Sequence, residues 1–363
     1  MNYAKPRYDY IVMLVMMFVP LIMVLSQAGL LIGIDAKLLV AMLGIIVFGA
    51  QILFHGYILP TQIFFLGLTI IFPIINFQTE LISLAVLVFF MYVVDFSGMD
   101  SRLYSRFYAI PFAIAFGMVV IANITTGFNT HDVVVWQGGV NTFRRTFGFY
   151  YANQASMLLC GLVFGLVLLA GQRFVRMKLM LISLAAWYVL DGTNSRTSMY
   201  ILAVSMGLFF VLGKHSNGIM PKFVSYIVSM APWLFMGISM YLLLTPYSDE
   251  LNSLATGRLA LYQAYFKQSG YHFLADARFE SAMLDNSYLQ ELMTKGILFV
   301  ICHLVLLSLM VIGRRISIRT AIFYISFLCI SLPETALQHF ELLIPIVISM
   351  IDDKRRFEGN EYL

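Results

Sequence analysis

YANQASMLLCGLVFGLVLLAGQRFVRMK, residues 151–178, decides the fold. From 151 to 171 the stretch carries no charged side chain, and as a helix it is long enough to cross about 30 Å of hydrocarbon. It then turns abruptly basic at Arg173, Arg176 and Lys178, as the cytoplasmic flank of a membrane span does. Similar apolar runs recur along the chain. We read about twelve spans, near residues 10–27, 37–55, 59–77, 80–96, 107–124, 151–171, 177–191, 197–213, 222–244, 290–312, 317–332 and 335–351. The sequence therefore predicts an all-α polytopic integral membrane protein, a single membrane domain over residues 1–363. Composition agrees: 60% of residues are hydrophobic, 12% are charged and the mean hydropathy is +0.85.

Charge orients the spans. With the N-terminus inside, fifteen of the 23 lysines and arginines fall on inner segments. Every inner segment except the short turn near His55 carries at least two, as the positive-inside rule requires. Both termini are then cytoplasmic, and the expected location is the cytoplasmic (inner) membrane. The other eight cations are Lys37, Arg144, Arg145, Arg196, Arg258, Lys267, Arg278 and Lys295. Among these, Arg145, Arg196, Arg258 and Arg278 stand out, because guanidinium groups held at an outer face suit an anionic ligand. An arginine at a membrane boundary can also simply extend its head to the lipid headgroups.

The remaining global features exclude more than they suggest. The first apolar run lacks a small-residue cleavage site and more spans follow it, so it reads as a retained anchor. Cys160, Cys302 and Cys329 all lie within spans, leaving no disulfide framework and no metal-ligand spacing. There is no glycine-rich phosphate cradle and no HExxH motif, so no metal or cofactor is expected. Nucleic acid is not an expected partner. Residues 352–363 read as a solvated cytoplasmic end.

Two outer segments interrupt the short loops, at about 125–150 and 246–287. In the second, Thr256 can cap an amphipathic helix over about 257–268 that Gly270 stops. Arg258, Leu261, Tyr262 and Tyr265 recur on one face of it, which suits a helix lying at headgroup depth. Asn153 stands with Arg145 and Gly148 in RTFGFYYAN (145–153), at the outer entry to the sixth span. Arg196 stands in TNSRTSMY (193–200), where Thr193, Asn194 or Ser195 can cap the eighth. A helix N-terminus presents free N–H groups, so an adjacent arginine strengthens an anion site. Asp191, Asp285 and Glu334 are the acidic complement on the same face, as ion-pair partners or proton acceptors. His131 and His272 read as surface residues. Glu341, within the last span, is the main charge out of place, with His339 or another helix as its partner.

In order, RTFGFYYAN, SRT at the start of a span, TGRLALYQAYF in a large outer loop and DNSYLQELMTKGIL resemble the O-antigen ligase/polymerase superfamily, most closely the Wzy-type O-antigen and exopolysaccharide polymerases. The resemblance covers about residues 140–300 and the hydropathy profile on either side. Two positions depart from the family. Ala152-Asn153 stands where Pro-Asn is frequent, and Asp285-Asn286 stands where the ligases commonly have His-Asn; the second favours a polymerase.

The resemblance implies a metal-independent, inverting membrane glycosyltransferase. Its donor would be an oligosaccharide repeat unit linked through pyrophosphate to undecaprenol, and its acceptor another such unit. Its environment would be membrane lipid, with room for a separate chain-length regulator. On this reading Arg196 and Arg258 bind the pyrophosphate with support from Arg145 and Arg278. Asp285 stands first, and Glu334 second, for orienting or deprotonating the acceptor hydroxyl. Asn153, Tyr262, Asn286 and Tyr288 are candidates for sugar contacts. An O-antigen ligase is the alternative within the family. A flippase or transporter of a lipid-linked sugar is the alternative outside it, and it would keep ionisable groups near the bilayer midplane beside broken helices.

Overall fold

The computed structural model describes residues 4–32, 35–55, 63, 67, 101–137, 140–170, 175–254, 257–275, 284–337 and 339–360. The apolar runs fold as helices because a chain in hydrocarbon must satisfy its own backbone N–H and C=O groups. In order they are α1 (Ala4–Gln27), α2 (Ala36–His55), α3 (Ser101–Thr126), α4 (Ala152–Leu169), α5 (Val175–Thr193), α6 (Arg196–Leu212), α7 (Lys222–Ser229) and α8 (Ala231–Leu244). There follow α9 (Asp249–Leu254), α10 (Arg258–Ser269), α11 (Ser287–Val311), α12 (Ile318–Ile330) and α13 (Phe340–Asn360). The chain is thus a helical, multi-pass membrane protein. Among the described residues, six stretches are long and apolar enough to cross a bilayer: Tyr8–Gln27, Ser101–Thr126, Ala152–Leu169, Arg196–Asn217, Lys222–Leu244 and Ser287–Val311. Their outer faces are apolar too: Ile110, Ile114, Met118 and Ile121 form an exposed stripe at helical spacing along α3.

The twelve expected spans divide accordingly. Leu38–Phe54 and Ile318–Ile330 are apolar but shorter. The expected spans near 177–191 and 335–351 fall on α5 and on α13, which begins only at Phe340, and both helices carry charges, among them Arg176, Lys178, Asp352 and Asp353. The expected spans near 59–77 and 80–96 lie outside the described residues.

α4 occupies the centre, buried along most of its length, and α3, α5 and α13 pack against it. Gly161 makes this possible: a Cβ there would stand 2.3 Å from the Glu341 carbonyl oxygen on α13. The same carbonyl accepts a 2.6 Å hydrogen bond from the Tyr108 hydroxyl of α3, so three helices meet at one backbone oxygen. Backbone cannot yield as a flexible side chain can, so Gly161→Ala should destabilise the protein by about 1–3 kcal/mol. Thermal unfolding in detergent checks this; an unchanged midpoint would contradict so close an approach.

Three local expectations need correction. The end at 352–363 is not simply solvated: α13 continues to Asn360, and Asp353 is buried. The Asp353 carboxylate accepts from the Ser317 amide at 2.7 Å and the Thr320 hydroxyl at 2.6 Å, tying the start of α12 to α13. Its neighbour Asp352 pairs with Arg319 at 2.7 Å and Arg356 at 2.6 Å. Within 125–150 lies a two-stranded antiparallel sheet, β1 (Val133–Gln137) and β2 (Val140–Arg144), with Val133 opposite Arg144. Asp132 holds its base by accepting from the Thr146 amide at 2.8 Å.

The third correction concerns α10. It starts at Gly257 and stops at Gly270, close to the expected bounds, but its aromatic face is turned into the protein. Tyr262 is buried with Leu243, Leu284, Leu289 and Met293, and Leu261 and Tyr265 pack on that cluster. Thr256 lies outside the described residues; the Asn252 side chain accepts from the Ala260 amide at 3.1 Å and serves the helix start. Apolar side chains that meet a partner surface bury more area against it than at a headgroup layer.

The helix ends gather into two chemically different groups. One gathers the starts of α3, α5, α7 and α12 with Arg102, Arg176, Lys222 and Arg319. The other gathers β2, the starts of α4, α6 and α11, and the turn between α12 and α13.

Candidate functional site

In this second group, four charged side chains come within electrostatic reach of one another: Arg144, Arg258, Asp285 and Glu334. Each is delivered by a different piece of chain. β2 ends at Arg144, which spans two elements: its Nε donates to the Thr193 carbonyl at 3.0 Å, and its Nη2 donates to Asn153 Oδ1. Asn153, in the first turn of α4, turns its amide nitrogen to Glu334 Oε2 at 2.9 Å. A planar guanidinium can hold two acceptors in fixed directions, which is why an arginine sits here.

Glu334 follows Pro333 in the turn between α12 and α13 and is only 5% exposed. Its backbone carbonyl accepts from the Ser287 hydroxyl at 2.7 Å, fixing the turn to the start of α11. Burial pushes the carboxyl from its usual 4.5 up to about 7, and the Asp285 charge acts in the same direction. Arg258, Arg144 and the Asn153 hydrogen bond oppose the rise without cancelling it. Burial likewise lowers the Arg144 guanidinium, while Glu334 and Asp285 favour its charge. A carboxyl that titrates near neutrality is suited to exchanging a proton with a hydroxyl.

Asp285 is different. It is half exposed, holds a left-handed backbone with φ of 45°, and pairs with Arg258 Nε at 3.6 Å. The Tyr262 hydroxyl donates to its carbonyl at 3.3 Å, locking α10 to the start of α11. Burial raises the Tyr262 phenol to about 12, so it stays protonated as a donor.

Other expected residues take other places. Asn286 is buried and caps α11, accepting from the Leu289 amide at 3.0 Å and bonding Ser239. Tyr288 is buried as well, stacked on Phe235, with its hydroxyl 3.4 Å from the Leu328 carbonyl. Both therefore shape the site from beneath. Arg145 is exposed, and its amide bonds the Gly192 carbonyl at 2.8 Å. Arg196 opens α6, exposed, with no ion pair among the described residues. A file of hydroxyls leads from there towards Asn153: Ser195 to Ser198 at 3.3 Å, Ser198 to Ser156 at 3.2 Å, and Ser156 to the Asn153 carbonyl at 2.8 Å. Arg278 lies outside the described residues.

Sequence reasoning missed Arg144, passing over it for its neighbour. Strand alternation was the available signal, since adjacent residues of a strand point to opposite faces. Lys295, counted among outer cations, is wholly buried in α11, its Nζ 5.1 Å from the Phe299 ring centre. Glu341 does pair with His339, at 2.6 Å.

The arrangement can place an anionic group beside Arg258 and Arg144 while a hydroxyl loses its proton to Glu334. No protein-family model matches the chain, and neither a curated protein nor a solved structure does.

Proposed function

We propose that the protein is a membrane glycosyltransferase that joins undecaprenyl-pyrophosphate-linked oligosaccharide repeat units into O-antigen, capsular or exopolysaccharide. The observation that carries the reading is the buried Glu334 carboxyl, titrating near 7, beside Arg144 and the Arg258–Asp285 pair. The order of the outer motifs, shared with Wzy-type polymerases, supports it. In this reading the chain crosses the cytoplasmic membrane about twelve times with both termini inside. The Glu334 end faces outward, as the basic residues at the opposite end favour.

The chemistry balances without further reagents. An acceptor sugar hydroxyl attacks the donor's anomeric carbon, forming the new C–O bond as the C–O bond to pyrophosphate breaks, with inversion. The hydroxyl proton passes to Glu334, and undecaprenyl pyrophosphate departs. Arg258 and Arg144 stabilise the charge that develops on the pyrophosphate, with Arg196 near the exposed entry. Asp285 orients Arg258.

A second reading, a flippase of the same lipid, draws on α11. That helix departs from helical geometry at Gly296 (φ 86°, ψ 169°), and Glu291, Lys295 and His303 are buried around the break. Buried charge beside a broken helix is a transporter feature. The surface glycan of a deletion strain, complemented with wild type or with Arg258→Ala, separates the readings. A polymerase predicts loss of the ladder with a single repeat unit still on the surface. Loss of even that unit points to a ligase or flippase, and an unchanged ladder with Arg258→Ala removes Arg258 from the mechanism.

A further inference from the structure

We propose that Ser287, the first residue of α11, is a positioning residue for the Glu334 base, fixing that carboxylate relative to Arg258. The inference rests on the reading of Glu334 as the proton acceptor under the proposed function. Ser287 is buried, and its hydroxyl bonds the turn between α12 and α13 twice. It donates to the Glu334 carbonyl at 2.7 Å and accepts from the Leu337 amide at 3.1 Å, so one oxygen closes the turn across three residues. The Ser287 amide donates to the Ser331 carbonyl at 2.9 Å, a further tie on the other side of Glu334. The Glu334 side chain is held separately, by the Asn153 amide nitrogen at 2.9 Å.

α11 does not need this hydroxyl for its own start. Asn286 caps the helix by accepting from the Leu289 amide at 3.0 Å. The Ser287 hydroxyl is directed at the turn instead. The chain just before it is anchored on two other sides. The Tyr262 hydroxyl of α10 donates to the Asp285 carbonyl at 3.3 Å, and the Asn286 amide nitrogen donates to the Ser239 hydroxyl of α8 at 3.1 Å. Asp285 itself pairs with Arg258 at 3.6 Å. Residues 285–287 thus hold the anion-binding arginine on one side and the proton-accepting turn on the other. This short link sets the spacing between the group that stabilises the leaving pyrophosphate and the group that takes the hydroxyl proton. Alignment of that kind matters in the transition state, where a misplacement of about 1 Å costs about 10²-fold in rate. Ser287→Ala leaves the Glu334 carbonyl and the Leu337 amide without this partner and lets the turn move the carboxylate off its line.

The test measures kcat and KM for a lipid-linked repeat unit with the full chain reconstituted in a bilayer, per mole of folded protein. Ser287→Ala should lower kcat by about 10–100-fold and leave KM within about threefold, since the base acts only in the transition state. Ser287→Cys keeps the shape with a weaker donor and acceptor, so its kcat should fall less, by about 3–10-fold. It decides the question if Ser287→Ala does not accumulate. Ser239→Ala removes another buried hydroxyl at the same helix start, one that bonds Asn286, and should leave kcat within about twofold. Three results would each overturn the proposal: less folded protein but unchanged kcat in the Ser287 variants, a raised KM with unchanged kcat, or an equal fall in Ser239→Ala. Glu334→Gln, measured alongside, tells two failures apart. An inactive Glu334→Gln with unimpaired Ser287 variants refutes only the role of Ser287. Wild-type activity in Glu334→Gln refutes the reading of Glu334, and this proposal with it.

Discussion

Glu334→Gln should reduce polymer formation by about 10²–10⁴-fold, the range that a lost general base produces, while the protein inserts and accumulates normally. Glutamine keeps the shape and can still accept from Asn153, but it cannot take a proton. The wild-type rate should rise with pH through about 7, because only the ionised carboxylate acts as a base. The same titration governs stability with opposite sense. The folded-state value of about 7 stands above the ordinary 4.5, so the native state holds the proton more tightly. Its contribution to stability is complete below about pH 4.5 and is lost as pH rises through about 7, a change of about 3 kcal/mol. Glu334→Gln carries no such charge, so at pH 8 it should melt no lower than wild type. A variant that loses both activity and stability would show that Glu334 is structural. One that keeps its activity would show that another group takes the proton.

Arg144→Ala should cost about 10²–10³-fold in rate, comparable to the loss of one preorganised donor at developing charge. It removes two fixed hydrogen bonds, to Thr193 and Asn153, and leaves the Asn153–Glu334 contact without its anchor. It also removes a positive charge that opposes the rise of the Glu334 pKa, so the rising limb of the pH–rate profile should move to higher pH. Arg144→Lys should recover little, since an ammonium cannot hold the two acceptors in one plane. Arg145→Ala, one residue along, should stay within about threefold of wild type. Rates measured across pH for the three variants check the point, and equal losses for Arg144→Ala and Arg145→Ala would contradict it.

The legible part of this protein was the part that membranes constrain. A run such as residues 151–171 has few options besides a helix, and Gly257 and Gly270 bracket α10 as expected. Asp285, Glu334, Arg258 and Asn153 were recognisable from their place beside span ends, and the structure gathers them at one end. What the sequence obscured was direction. Arg144 and Arg145 are equal in composition, and only the β2 register separates them. The hairpin had a readable signal, a β-branched run at Val133–Val135 and a Gly-Gly dipeptide at 138–139 before a second polar–apolar alternation. Expecting a loop hid it. Tyr288 and Asn286 looked available because their chain neighbours are polar, yet both face inward, where a hydroxyl and an amide cap backbone groups. The ties of Asp352 and Asp353 to Arg319 and Ser317 span more than 30 positions, beyond any local pattern.

The most direct test of the central claim reconstitutes the purified protein in a bilayer with a lipid-linked repeat unit as the sole glycan substrate. Glycan should grow with one undecaprenyl pyrophosphate released for each new bond, and Glu334→Gln should give neither product. Movement of the intact lipid-linked unit across the bilayer, with no new glycosidic bond, would contradict it.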